Sequence, residues 1–155
     1  MQYLVLKALH VLSVVLFLGN IITGVFWKFH GDHVGTLTAR AQALEGVIRS
    51  DRWFTMPGVF AIIITGVWMA LDAHLPLLGT KWILWSLVLF GISGVCFGAF
   101  VAPLQKKLLA NVRAGIAGQW NQPEYARLSR AWEIWGAVAT LTPAIALFLM
   151  VLKPT

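Results

Sequence analysis

The chain has 155 residues, 59% of them hydrophobic and 12% charged, with a formal net charge of +6 and a mean hydropathy of +0.77. Soluble domains carry roughly 25% charged residues, so this composition excludes one and points to an integral membrane protein. The basic balance is not a nucleic-acid signature either, because the cations fall between apolar runs and not on a soluble face. Crossing about 30 Å of hydrocarbon takes about 20 apolar residues, and four runs qualify, at about 3–27, 53–71, 82–104 and 132–152. Three connections are all that remain, so residues 1–155 form a single integral membrane domain. The fold class is all-α: an antiparallel four-helix bundle with a short cytoplasmic amphipathic helix and long third and fourth helices.

The first run has Lys7 as its only early charge and no A-x-A site after it, so it reads as a retained span and not a secretory signal. At 100° per residue, His10, Ser13, Phe17, Asn20 and Gly24 fall within an arc of roughly 80°. A polar stripe against lipid is costly, so this face is expected to turn into the bundle or a cofactor cavity. Lys7 sits close enough to the surface to snorkel. The connection that follows contains HGDH, residues 30–33, whose His30, Asp32 and His33 are metal-ligand types, but the flanking Gly31 and Gly35 suggest a turn and no further ligand pair accompanies them. From Leu37, the apolar positions Leu37, Ala41, Leu44 and Ile48 recur at helical spacing, which predicts an amphipathic helix at the membrane surface.

Arg49, Asp51 and Arg52 open the second span, where an aspartate near a helix start is favoured by the dipole. Small residues recur three or four apart: Gly58, Ala61 and Thr65 in span two, Gly94, Gly98 and Ala102 in span three, and Gly136, Thr140 and Ala144 in span four. They predict close helix packing. The lone cysteine, Cys96, reads as a small packing residue. Span three is expected to continue as helix to about Gly118, with a turn to Asn121. Asn121 as N-cap, Pro123 in the first turn and Glu124 at the capping-box position then start a helix over about 122–152. Trp27, Trp53, Trp82 and Trp132 fall at span ends and read as interfacial anchors. The first and third connections together carry nine basic residues against Lys81 alone in the second, which places those two in the cytoplasm and both termini in the periplasm.

Two readings of His10 stay open. It is a structural hydrogen-bonder to Ser13 or a neighbouring carbonyl, or it is an axial ligand to haem iron, for which neutral imidazole is the usual donor, in a bundle that builds a cofactor site from inward-facing side chains. Second ligands at its depth are few, with Met69 and His74 nearest. His10, Ser13, Asn20, Met69 and His74 are therefore the candidate cofactor-binding residues, His10 the candidate iron ligand, and haem b the candidate cofactor. No nucleophile elbow, zincin motif, P-loop or Rossmann fingerprint occurs, so no catalytic residue is assigned.

KALHVLSVV followed by a glycine, DRWFTMPGV with TG after it, LLGTKWIL and the closing LKP together resemble an uncharacterised family of bacterial four-span inner-membrane proteins. That family, a domain of unknown function, is similar in pattern to HemJ-type protoporphyrinogen oxidases and to the CopD copper-resistance membrane domain. The resemblance implies a bacterial inner-membrane location and, through the KALH-like setting, maps a haem-ligating histidine onto His10. Lys81 stands a few positions ahead of the functional lysine of the HemJ type, GVCFG replaces its HH-type sequence, and the copper reading would draw on Met56, Met69, Met150 and His10. The leading expectation is a haem b protein serving electron transfer or a HemJ-like redox step, a membrane oxidoreductase with a quinone or porphyrin-like lipophilic partner and a homo-oligomer as one way to supply a second His10. The alternatives are a non-enzymatic scaffold or accessory subunit binding the bilayer's lipids, with His10 structural, and copper or small-solute transport by an oligomer.

Overall fold

Four long helices make up nearly all of the computed structural model, which describes residues 1–154: α1 (Gln2–Val34), α2 (Leu37–Asp72), α3 (Lys81–Ile116) and α4 (Gln122–Leu152). At 1.5 Å per residue each is about 46–54 Å long, well beyond a hydrocarbon layer of about 30 Å. The excess falls at the end bearing the two basic connections, the basic end. Asn121 caps α4 as its sequence predicts, its Oδ1 accepting from the Glu124 amide at 3.1 Å.

The HGDH segment is helix, not turn. Gly31 lies where α1 meets α2, and a Cβ there would stand 2.7 Å from that of Ala43. The helix ends only at Gly35, whose φ of 80° suits glycine and whose amide bonds the Gly31 carbonyl. After Thr36, the amphipathic helix expected from Leu37 is present and runs into span two without a break. Its apolar residues Ala41, Leu44 and Val47 are buried against protein, on α1 and α3, and are not spread on the membrane surface.

Prolines shape three of the spans. Pro57 and Pro103 each lack an N–H and crowd the carbonyl four residues back, and each follows a turn of π-helix, at Asp51–Thr55 and Phe97–Val101. The wider winding accommodates the ring within a continuous helix. Pro143 is handled differently. The Ala139 carbonyl it leaves without an intrahelical donor accepts instead from the buried Ser93 hydroxyl of α3, at 2.6 Å.

The helices pair as two hairpins, α1 with α2 and α3 with α4. In α1–α2 the expected small-residue packing holds: Gly58 lies against Phe17, where an added Cβ would meet the Phe17 Cβ at 3.3 Å. The hairpins join at the basic end through a core that includes Leu44, Leu108, Val112, Tyr125, Leu128 and Trp132. Trp132 is thus not an interfacial anchor; it is 3% exposed, since α4 turns it inward at the junction, whereas Trp27 and Trp53 are exposed. Farther from the basic end the hairpins part. Among the described residues, Met56–Asp72 brings no Cα within 8 Å of α3 or α4, and Lys81–Cys96 none within 8 Å of α1 or α2.

Candidate functional site

The parting of the hairpins leaves a cavity of about 530 Å³, within the range of roughly 300–1,000 Å³ usual for ligand pockets. Its membrane-level walls are apolar: Phe17, Met56, Val59 and Ile63 from the first hairpin, Phe90, Phe97 and Ala139 from the second. Gly91, Gly94, Gly98 and Gly136 line it too, and a Cβ added to any of the four would meet no atom within 4 Å. The small residues expected to bring α3 and α4 against neighbouring helices therefore hold this space open. Phe17 and Phe90 touch across it, ring centroids 5.5 Å apart. Met56, Gly91, Gly94 and Gly98 are exposed, so the cavity is reached sideways from the hydrocarbon.

Its basic end is polar. Asp51, in the π turn of α2, is buried, and every contact to its carboxylate comes from a neutral donor: Asn20 Nδ2 at 3.1 Å and Thr55 Oγ1 at 2.8 Å to Oδ1, and Gln105 Nε2 at 3.0 Å to Oδ2. Asn20 Nδ2 also donates to Thr55 Oγ1 at 2.9 Å. The cluster ties α1, α2 and α3 together where the hairpins begin to separate. Arg52 and Lys106, each one residue beyond a partner in the Asp51–Gln105 bond, also line the cavity, are exposed, and form no ion pair among the described residues.

Three of the residues expected to form a cofactor site, His10, Ser13 and Asn20, are hydrogen-bonded within the protein. His10 turns toward α2, half-buried, with Nδ1 2.9 Å from Thr65 Oγ1. The Thr65 hydroxyl donates to the Ala61 carbonyl, so its oxygen accepts from Nδ1–H and the Nε2 lone pair is left free. The ring lies on Gly66, where a Cβ would meet Cε1 at 3.0 Å. Ser13 bonds its own helix at the Leu9 carbonyl, Asn20 belongs to the Asp51 cluster, and His74 is an exposed residue at φ 52°. Met69 is half-buried one turn past Thr65. Neither this cavity nor a second one, on the α1–α2 hairpin beside Trp27, His30 and Gln42, is lined by His10, Met69 or His74. The His10 contact joins α1 to α2.

One network was not expected. Lys28, counted in sequence among the loop cations, is 1% exposed. Its Nζ lies 2.7 Å from Asp32 Oδ2 and 3.4 Å from Glu133 Oε1, donates to Ser129 Oγ, and stands 5.3 Å from the Trp132 ring centroid. Asp32 also accepts from the Tyr125 hydroxyl and lies 3.6 Å from Arg40 Nε. Two cations and two carboxylates balance, and the group fastens α1, α2 and α4 at the basic end. Asp32 is thereby committed to protein partners and not free for a metal. Tyr125 lies outside the membrane span; burial first, then the Asp32 carboxylate, raise its hydroxyl above the usual tyrosine range.

The fold and cavity together define a four-span integral membrane protein with a lateral, apolar cleft and a polar floor. The chain belongs to the family described as predicted integral membrane protein DUF2269, whose match covers residues 4–154. No curated protein and no solved structure matches it, and the likeness to HemJ-type oxidases and CopD domains is carried by no match.

Proposed function

We propose that this chain is an accessory or scaffold protein of the bacterial inner membrane that takes a lipophilic molecule of the bilayer into the cleft between its hairpins. The supporting observation is the cleft itself: apolar walls and glycines facing open space, ending at buried Asp51 and two cations. Four glycines facing open space forfeit packing that larger side chains would supply, and an occupant restores it. The nine basic residues of the first and third connections support a cytoplasmic basic end and periplasmic termini. His10 in this reading is a helix-packing hydrogen bond.

The test fills the cleft. Gly94→Leu combined with Gly98→Leu adds side chains where a Cβ meets nothing within 4 Å, so the thermal midpoint should hold. Protein purified in mild detergent should carry about one lipophilic molecule per chain by native mass spectrometry, and the double variant none. Parent protein carrying none, or a variant carrying as much, refutes the reading.

A second reading, haem b at His10, draws support from the Thr65 contact, which leaves Nε2 as the free nitrogen, as metal-ligating histidines require. Its check is the absorption spectrum of protein from haem-replete cells. A Soret band lost in His10→Ala would favour it, and a colourless, folded protein would end it.

A further inference from the structure

Resting on the cleft reading, we propose that the occupant is an anionic phospholipid of the leaflet at the basic end, its phosphate held between Arg52 and Lys106 and a tail lying along Gly98, Gly94 and Gly91. Charge and position point to this occupant. Arg52 follows Asp51 on α2 and Lys106 follows Gln105 on α3, and the Asp51–Gln105 hydrogen bond of 3.0 Å sets the two cations at adjoining positions on facing helices, both on the cavity lining. The one carboxylate facing that end is Asp51. It forms no ion pair with either cation: its oxygens accept from Asn20, Thr55 and Gln105 instead. Lys28, Arg40, Arg113 and Arg127 of the basic end are each ion-paired, and the remaining cations there, Arg49, Lys107 and Arg130, do not line the cavity. Arg52 and Lys106 are left to an external anion.

The depth fits a lipid and not a soluble anion. From Gln105 to Phe90 along α3 is fifteen residues, about 22 Å of helix, and that length is walled by apolar side chains and glycines open to the hydrocarbon. Both π turns border the charged end, supplying Asp51, Arg52 and Thr55 from α2 and Phe97, Gly98 and Val101 from α3. Such turns are frequent at functional sites.

The test places the full chain in nanodiscs holding equal amounts of phosphatidylglycerol and phosphatidylcholine with matched acyl chains, and reads the retained lipid by native mass spectrometry after detergent release. Two juxtamembrane cations favour anionic lipid by about thirty-fold, so the adduct should be phosphatidylglycerol by that order. Arg52→Gln with Lys106→Gln should abolish the preference or the adduct, with the thermal midpoint unchanged because neither side chain has a partner among the described residues; Lys106→Arg should keep it. An adduct showing no headgroup preference, or a preference that survives the double substitution, overturns this inference and leaves the cleft reading standing. No adduct of either lipid in the parent protein overturns both.

Discussion

Replacing Lys28 by methionine keeps much of the side chain's length and removes its charge. Breaking a buried ion pair from one side costs about 3–5 kcal/mol, because the partner is left charged and uncompensated. Here the partners are not fully buried: Asp32 is 24% and Glu133 40% exposed, and Arg40 remains 3.6 Å from Asp32. Water and Arg40 recover part of the loss, which brings the expected cost to about 2–3 kcal/mol. For a chain of this size each kcal/mol moves a thermal midpoint by about 2–4 °C, so the drop should be about 4–12 °C. The chain contains its own probe, since Cys96 is the single cysteine and is buried, and a thiol-reactive dye labels it as the fold opens. Adding Glu133→Gln to Lys28→Met should return part of the loss, as expected where the cost is stranded charge. A midpoint within about 2 °C of the parent protein in Lys28→Met would show the network to be ornamental, and the reasoning would fail.

Ser93→Ala removes the donor to the Ala139 carbonyl and should cost about 1–3 kcal/mol. Adding Pro143→Ala restores a backbone N–H within α4 and should recover stability, so a double variant no better than Ser93→Ala in thermal circular dichroism would refute the staple. Tyr125 gives a pH prediction. Its folded pKa is raised, so its contribution is intact below about pH 10, where an unfolded tyrosine begins to ionise, and declines as pH climbs through the higher folded value. The alkaline fall in thermal midpoint should therefore be shallower in Tyr125→Phe, and an unchanged slope would count against the assignment.

The four spans, the long last helix with its Asn121 cap, and the inward turn of the His10 face were legible because each rests on local periodicity or on the cost of polar groups in lipid. What separates the hairpins was not. Glycines four apart read alike whether a helix or a gap faces them; Gly58 meets Phe17, whereas Gly94 and Gly98 meet nothing. Trp132 misled for a related reason, since an indole at a span end gives no sign of the side to which it turns. Lys28 was hidden by distance along the chain: Asp32 is four residues away, but Ser129 lies 101 residues on, and only the fold brings them together. The Thr65 partner of His10 was illegible likewise, 55 residues distant.

The two π turns have a consequence for what a single helix can present. Each winds in one residue more than an α turn would, which slips the angular phase of everything beyond it by about 100°. Along α2 and α3 the stripe buried in the basic-end core is therefore not the stripe that continues toward the termini. One uninterrupted rod can seal a junction at one level and turn a different side to its neighbour at the next, and deleting a single residue of a π turn, such as Trp53 or Ala99, would return it to α winding with both halves facing as before.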